Sequence, residues 1–99
     1  MTATLPTQEQ VDRIAQELAP DVVHIRLHIG QDWSEHPAIY LHIVLSDEAS
    51  RLDRLRETTQ KVSRKLEGAL GLNELKDYIT YARFRSQSEQ TKMQDPVWD

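Results

Sequence analysis

Two spacings of apolar residues alternate along the chain and predict an alternation of helices and strands. In the first segment the apolar residues recur at intervals of three and four; they are Val11, Ile14, Ala15 and Leu18. This spacing indicates a helix with one buried stripe. Thr7 and Gln10 occupy the two positions of a capping box, and Pro20 disfavours helical geometry at the residue before it. The pattern predicts a first helix at about residues 8–18.

After residue 21 the apolar period shortens to two residues, the spacing of strands with one buried face. The alternating residues are Val23, Ile25, Leu27 and Ile29 in one run, and Ile39, Leu41, Ile43 and Leu45 in the next. The polar stretch 30–36 between the runs predicts a β-hairpin. Parity allows a register that pairs Leu27 with Leu41, or one shifted by two residues that pairs His24 with His42.

A second helix and a third strand are predicted beyond the hairpin. Ser46 precedes two acidic residues, a favourable helix start. The apolar stripe of this helix is predicted to be Leu52, Leu55, Thr59, Val62, Leu66 and Ala69. Gly68 or Gly71 is expected to end it in a left-handed conformation. A strand rich in β-branched and aromatic residues follows at about residues 77–85.

The C-terminal segment, residues 86–99, carries a second capping-box pattern. Ser86 and Glu89 stand at its two positions, which predicts a short helix to about residue 94, followed by a tail. Trp98 is expected either to pack back on the domain or to anchor a partner. Residues 1–99 are predicted to form one domain, because the chain is too short for a second core.

The order of elements predicts the α+β fold class. We expect a two-layer α-β-β-α-β sandwich: a three-stranded, mainly antiparallel sheet with two helices on one face and a short C-terminal helix. A crossover through the long helix should return the third strand parallel to the second. A position of the third strand beside the first is one arrangement that the pattern allows.

Composition narrows the function classes. The chain has a net charge of −4 and no cysteine, so disulfides, thiolate metal sites and cysteine nucleophiles are excluded. Met1 to Gln10 has no export-signal pattern, and no apolar run approaches the ~20 residues of a membrane span. We therefore expect a small soluble cytoplasmic protein. Its acidity argues weakly against general nucleic-acid binding.

The sheet face away from the helices carries most of the candidate chemistry. If Ile79, Tyr81, Arg83 and Arg85 join the hairpin's outward side chains, this open face is basic and aromatic on an acidic protein. The candidate residues for binding a partner or a nucleic acid are Arg26, His28, Tyr40, His42, Tyr81, Arg83, Arg85 and Trp98. Arginine and tyrosine are enriched in protein interfaces because they bury much area and keep polar tips satisfied.

Three hypotheses for function follow. The first is a non-enzymatic accessory or interaction protein of unknown cellular role that uses the open face for self-association, as a homodimer or homo-oligomer, or for protein–protein interaction. The second is an RNA or single-stranded DNA binding module on the same face. The third is an enzyme whose site forms between subunits around Asp32, Glu35 and His36, the polar residues of the hairpin loop.

No metal or cofactor site is predicted. His24 and His28 share a strand face but lie roughly 13 Å apart, too far for one ion. No motif resembles a known family closely enough to name one.

Overall fold

The computed structural model describes residues 4–98, which form an α+β domain. The helices are α1 (Gln8–Glu17), α2 (Leu55–Leu70) and α3 (Gln87–Met93). The strands are β1 (Val22–Gln31), β2 (Pro37–Leu45) and β3 (Ile79–Ser86). Short 3-10 turns at Leu72–Glu74 and Pro96–Trp98 complete the described residues. The predicted class is confirmed. In this part of the chain no helix has the length and apolar character needed to cross a bilayer.

The sheet is mixed, with strand order β1-β2-β3. β1 pairs antiparallel with β2, and β3 pairs parallel with β2. The predicted direction of β3 is confirmed, whereas a place beside β1 is wrong. The outer edge of β1 is occupied by Gln8, whose side-chain amide donates to the carbonyl of Ile25 at 2.7 Å and accepts from the amide of Leu27 at 2.8 Å. That edge therefore has fewer free backbone groups to offer a third strand.

The hairpin follows one of the two registers that parity allowed. Leu27 faces Leu41, so the register that pairs His24 with His42 is wrong. A β-bulge between Val22 and His24 inserts one residue into β1. Because a bulge reverses the facing of the residues before it, Val22 joins the core and Val23 is 45% exposed. The prediction that Val23 is a core residue is wrong for this reason.

Local signals at α1 and α3 predict the structure well. Thr7 and Ser86 each form the complete capping box, with the side chain of the third helical residue returning to the cap's backbone amide.

Gly71 ends α2 with φ 61° and ψ 36°, the left-handed conformation that glycine adopts without steric cost.

The predicted start of α2 at Ser46 is wrong, because α2 begins at Leu55. The Ser46 hydroxyl accepts from the amide of Ala49 and closes a turn that does not continue as a helix. The Asp47 carboxylate accepts hydrogen bonds from Ser88 in α3. This contact holds the segment before α2 against α3. Leu52, placed in the predicted stripe, is 94% exposed.

The apolar core lies between the two longer helices and one face of the sheet. The stripe of α2 that reaches it has a strict interval of four and consists of Thr58, Val62, Leu66 and Leu70. These residues, with the apolar stripe of α1, pack over Ile25, Leu41 and Ile43, which are at most 1% exposed. Thr59 and Ala69 lie beside this stripe instead of within it. The opposite face of the sheet is thereby left to other contacts.

Leu66→Ala and Leu52→Ala form a matched pair that tests this placement of α2. Leu66 is 1% exposed, and its truncation should lower the free energy of unfolding by about 2–5 kcal/mol. Leu52→Ala removes the same atoms from an exposed position and should change it by less than about 0.5 kcal/mol. Urea unfolding followed by circular dichroism measures both. Equal losses would contradict the helix boundary described here.

Candidate interaction surface

The open face of the sheet is built from rows of side chains that cross the strands. The third strand faces as predicted, since Tyr81, Arg83 and Arg85 share this side with the outward residues of the hairpin. Pairing aligns the side chains in three rows, which are His28–Tyr40–Tyr81, Arg26–His42–Arg83 and His24–Val44–Arg85. The structure therefore brings the predicted candidates of all three strands onto one surface.

The C-terminal segment covers one end of this face. Trp98 is 6% exposed and stacks on His42, with ring centroids 4.7 Å apart and planes inclined by 16°. The guanidinium of Arg85 lies 4.2 Å from the centroid of the Trp98 ring, within cation–π distance. Arg85 also donates to Gln90 at 2.9 Å and lies 3.7 Å from the Asp95 carboxylate. These contacts of His42, Arg85 and Trp98 are thus all intramolecular.

Asp47 holds α3 in the position that allows this coverage. Its carboxylate accepts from the backbone amide of Ser88 at 2.9 Å and from the Ser88 hydroxyl. The bond from that hydroxyl, followed by the bond from the amide, lowers the pKa of Asp47 below its ordinary value. A carboxylate at the first turn of a helix is favoured by the unsatisfied amides and the positive dipole end there.

The His42 ring lies under Trp98 in a partly desolvated site. Its Nδ1 is 3.4 Å from the carbonyl of Val97. Burial lowers the pKa of His42 below 6.5, and the nearby charge of Arg83 lowers it further, against an opposing effect of the Val97 carbonyl. His42 therefore stacks on Trp98 as a neutral ring near neutral pH.

Outside the covered end, five candidate residues remain accessible; we call them the exposed sector, and they are Arg26, His28, Tyr40, Tyr81 and Arg83. Tyr40 and Tyr81 stack with centroids 5.2 Å apart and an interplanar angle of 15°. The ring of His28 stands 6.0 Å away on the other side of Tyr40, and the Arg83 guanidinium lies 5.8 Å from the Tyr40 centroid. The two tyrosine rings therefore meet face to face, whereas the His28 ring is tilted by 39° to Tyr40.

Asp32 organises the hairpin loop next to the exposed sector. One carboxylate oxygen accepts from the Ser34 hydroxyl at 2.7 Å and from the backbone amides of Ser34 and His36. The other accepts from the hydroxyl of Tyr81 at 3.0 Å, which ties the loop to β3. The Ser34 hydroxyl contributes most to lowering the pKa of Asp32, to about 2, while burial opposes the shift. The same bond to Asp32 raises the pKa of Tyr81 above its ordinary value.

This bonding bears on the hypothesis of a catalytic loop. General acid–base chemistry needs a carboxylate with a free position for substrate and a pKa near the working pH. Asp32 is buried, and both of its carboxylate oxygens accept hydrogen bonds, one from the loop and one from Tyr81. Its pKa is lowered, away from the neutral range. Glu35 and His36 are exposed. The loop is therefore organised as a rigid turn.

Trp33 is the residue of this surface that sequence reasoning missed. Its side chain is 93% exposed at the tip of the loop that Asp32 holds. A tryptophan between turn-forming residues gives only the signal of a loop, so the sequence pattern assigns it no role in binding. The useful signal is a large apolar side chain at the centre of a turn with no room to fold back.

The histidines do not form a metal centre in residues 4–98. No group of three or more His, Asp or Glu side chains comes together there in an arrangement that holds an ion. His24 lies in the row nearest the C-terminal segment, and its Nε2 is buried without a hydrogen-bond partner in the described structure.

Comparison with known proteins finds no match: no family model, no curated protein and no solved structure is significantly similar to this chain.

The two tryptophans should report opposite environments in solution. Trp33→Phe leaves Trp98, whose buried ring should emit at shorter wavelength and resist quenching by acrylamide. Trp98→Phe leaves Trp33, which should behave as free tryptophan does. We also expect Trp98→Ala to lower the free energy of unfolding by about 3 kcal/mol, and Trp33→Ala to change it by less than about 0.5 kcal/mol. Equal quenching of both residues would show that the C-terminal segment is undocked.

Asp32 should make the protein sensitive to acid in a defined range. Its folded pKa of about 2 lies below the ordinary 3.8, so the folded state binds fewer protons than the unfolded state in that range. The contribution of Asp32 is therefore complete above about pH 4 and is lost as the pH falls towards 2. Asp32→Asn should lower stability at pH 7 and flatten the stability profile between pH 4 and 2, measured by urea unfolding.

Glu35→Gln is the matched control for this experiment. It lies in the same loop, and its side chain accepts no hydrogen bond from a residue in the described range. If the stability of Asp32→Asn depends on pH as that of wild type does, the role of Asp32 is contradicted.

Proposed function

We propose that this protein is a non-enzymatic interaction module that binds a second protein through the exposed sector and the loop tip beside it. Trp33 is the anchor that enters the partner, and the arginines select an acidic segment around it. The observation that carries the proposal is a 93% exposed tryptophan held on a rigid loop next to an arginine- and tyrosine-rich face.

The loop is suited to present an anchor because its shape is fixed before binding. The backbone amide of Asp32 donates to the carbonyl of His36, and the amide of Glu35 donates to the carbonyl of Asp32. The Asp32 carboxylate adds the bond to Tyr81. A pre-ordered loop loses little conformational entropy on binding, and tryptophan is among the residue types that dominate binding energy at interfaces.

The charge of the sector supports an acidic partner segment. Arg26 and Arg83 are exposed, and neither forms an ion pair with another residue between 4 and 98. On the adjoining loop Asp32 is bonded to the loop and Tyr81, and Glu35 is exposed near Trp33. Arg26 and Arg83 thus offer a partner two positive charges that have no ion pair among the described residues, on a chain that is acidic overall. Charge complementarity of this kind sets specificity and association rate.

The arrangement of the aromatic rings supports a protein over a nucleic acid. Proteins that bind single strands lay bases on the free flat face of an aromatic side chain. Tyr40 and Tyr81 each use one flat face in the stack between them, and the tilted ring of His28 stands beside Tyr40, so the pair offers a base ring edges and the outer face of Tyr81. A protein segment can pack against such edges and hydrogen-bond the tyrosine hydroxyls.

As part of this proposal the protein acts in the cytoplasm, because its cysteine-free composition suits a reducing compartment. No cofactor is part of the proposal.

The test compares a sector variant with a control of equal charge. Arg26→Glu/Trp33→Ala reverses one charge and removes the anchor. Arg64→Glu/Leu52→Ala makes the same charge change on α2 and removes a side chain of equal exposure, 94%, near the other face of the sheet. Each tagged protein is used to capture companions from a native lysate with nuclease present. The captured protein is then titrated against purified wild type and both variants.

We expect wild type and control to capture the same stoichiometric protein companion. The sector variant should bind it at least about thirtyfold more weakly, since an anchor residue carries about 2 kcal/mol or more. Equal binding by all three proteins would refute this site. Capture of nuclease-sensitive nucleic acid alone would favour the nucleic-acid hypothesis instead.

A further inference from the structure

We infer that β3 and the adjoining flank of α2 form a second interaction surface whose partner is another copy of this chain. The two β3 strands pair antiparallel about a two-fold axis at Ala82 and extend the sheet across both copies. This surface shares Tyr81 and Arg83 with the exposed sector but does not include Arg26 or Trp33, the residues changed in the partner-binding test, so the two tests can fail independently.

The first observation is the difference between the two edges of the sheet. β1 and β3 are the edge strands. The β1 edge carries the Gln8 amide on Ile25 and Leu27, and a bulge twists its beginning. β3 pairs with β2 along its whole length, but its outward backbone groups from Ile79 to Arg85 form no hydrogen bond with another described element. An unprotected edge of this length is a template for another strand.

The second observation is that the helix side of β3 is only partly covered. Ala82 faces the helices yet is exposed, whereas Leu41 beside it on β2 is 1% exposed. Two grooves run between α2 and β3, with volumes of about 360 and 420 Å³. Their apolar lining includes Leu66, Leu72, Leu75 and Tyr78 in one groove, and Leu45, Leu55 and Phe84 in the other. A strand paired to β3 would bring its own helix layer over these grooves.

The third observation indicates that the partner is another copy of this chain. The charges on two α2 flanks are complementary when the flanks run in opposite directions. Arg56, Thr59, Ser63 and Glu67 line the grooves at intervals that keep them on one side of the helix. Arg56 and Glu67 are about 16 Å apart along the axis. Neither forms an ion pair with another residue in the range 4–98. Two such flanks side by side in opposite directions place each Arg56 beside the other copy's Glu67, with small polar residues between.

The linings of the two grooves relate the α2 flank to the proposed axis on β3. Ser63 and Glu67 border the groove that contains Thr80 and Ala82, and Arg56 and Thr59 border the groove that contains Phe84. The middle of the α2 flank, between Thr59 and Ser63, therefore lies beside β3 between Ala82 and Phe84. An axis at Ala82 also sets Tyr81 of one copy against Arg83 of the other, a favourable cross-strand pair on the open face. A two-fold axis makes every such contact occur twice.

Sedimentation velocity of the full chain over a concentration series tests the inference. Wild type should reach twice the 11.5 kDa chain mass. Arg56→Glu and Glu67→Arg each replace two attractive contacts with two repulsive ones, and each should raise the dimer dissociation constant about tenfold. Both residues are exposed, so the fold is retained, which circular dichroism verifies.

Mixing the two single variants is the decisive step. An equimolar mixture of Arg56→Glu and Glu67→Arg restores opposite charges at both contacts, and should form a heterodimer of wild-type affinity. Arg64→Glu mixed with Glu57→Arg is the control, since these charges lie on the next ridge of α2 and should not affect assembly. A monomeric wild type at millimolar concentration would overturn the inference, as would a dimer that neither single variant weakens.

Discussion

The parallel pairing of β3 with β2 is the contact on which the rest of the structure depends. It brings Tyr81 beside Tyr40 and Arg83 beside His42, and so creates the rows of the open face. It also puts Arg85 within reach of Trp98, which closes one end of that face. The side-chain amide of Gln8 bonds two backbone groups of the other edge, whereas the outer edge of β3 has no such partner among the described residues. The pairing of β3 with β2 thus determines which end of the open face the C-terminal segment covers. It also determines that the exposed sector and the β3 edge stay accessible.

Features governed by neighbours in sequence were predictable. The capping boxes at Thr7 and Ser86 need only residues three positions apart, and both form. The register of Leu27 with Leu41 was one of two that parity allowed, and burial of one face makes a one-residue slip costly. The facing of Tyr81 was the favoured one of two parities that were left open, because both sides of that strand carry apolar residues. These signals gave the fold class and most of the candidate surface.

Features governed by distant residues were not predictable. Ser46 has the sequence of a helix cap, yet the neighbouring Asp47 bonds Ser88, forty-one residues away, and the helix begins later. The bulge at Val23 exchanges two identical side chains, so hydrophobicity alone cannot locate it. Trp33 is exposed on a loop that Asp32 holds, and one of the hydrogen bonds of Asp32 comes from Tyr81 on β3, forty-nine residues away in sequence. Long-range hydrogen bonds of this kind have no periodic signature.

Amide hydrogen exchange along β3 in dilute solution tests this account most directly. A strand at the edge of the sheet bonds β2 through every second amide, so protection should alternate from Ile79 to Arg85. Protected and unprotected amides in alternation would support β3 as the free edge beside β2. Protection of consecutive amides in the dilute monomer would show that another element covers this edge, and would contradict the arrangement on which both proposed surfaces depend.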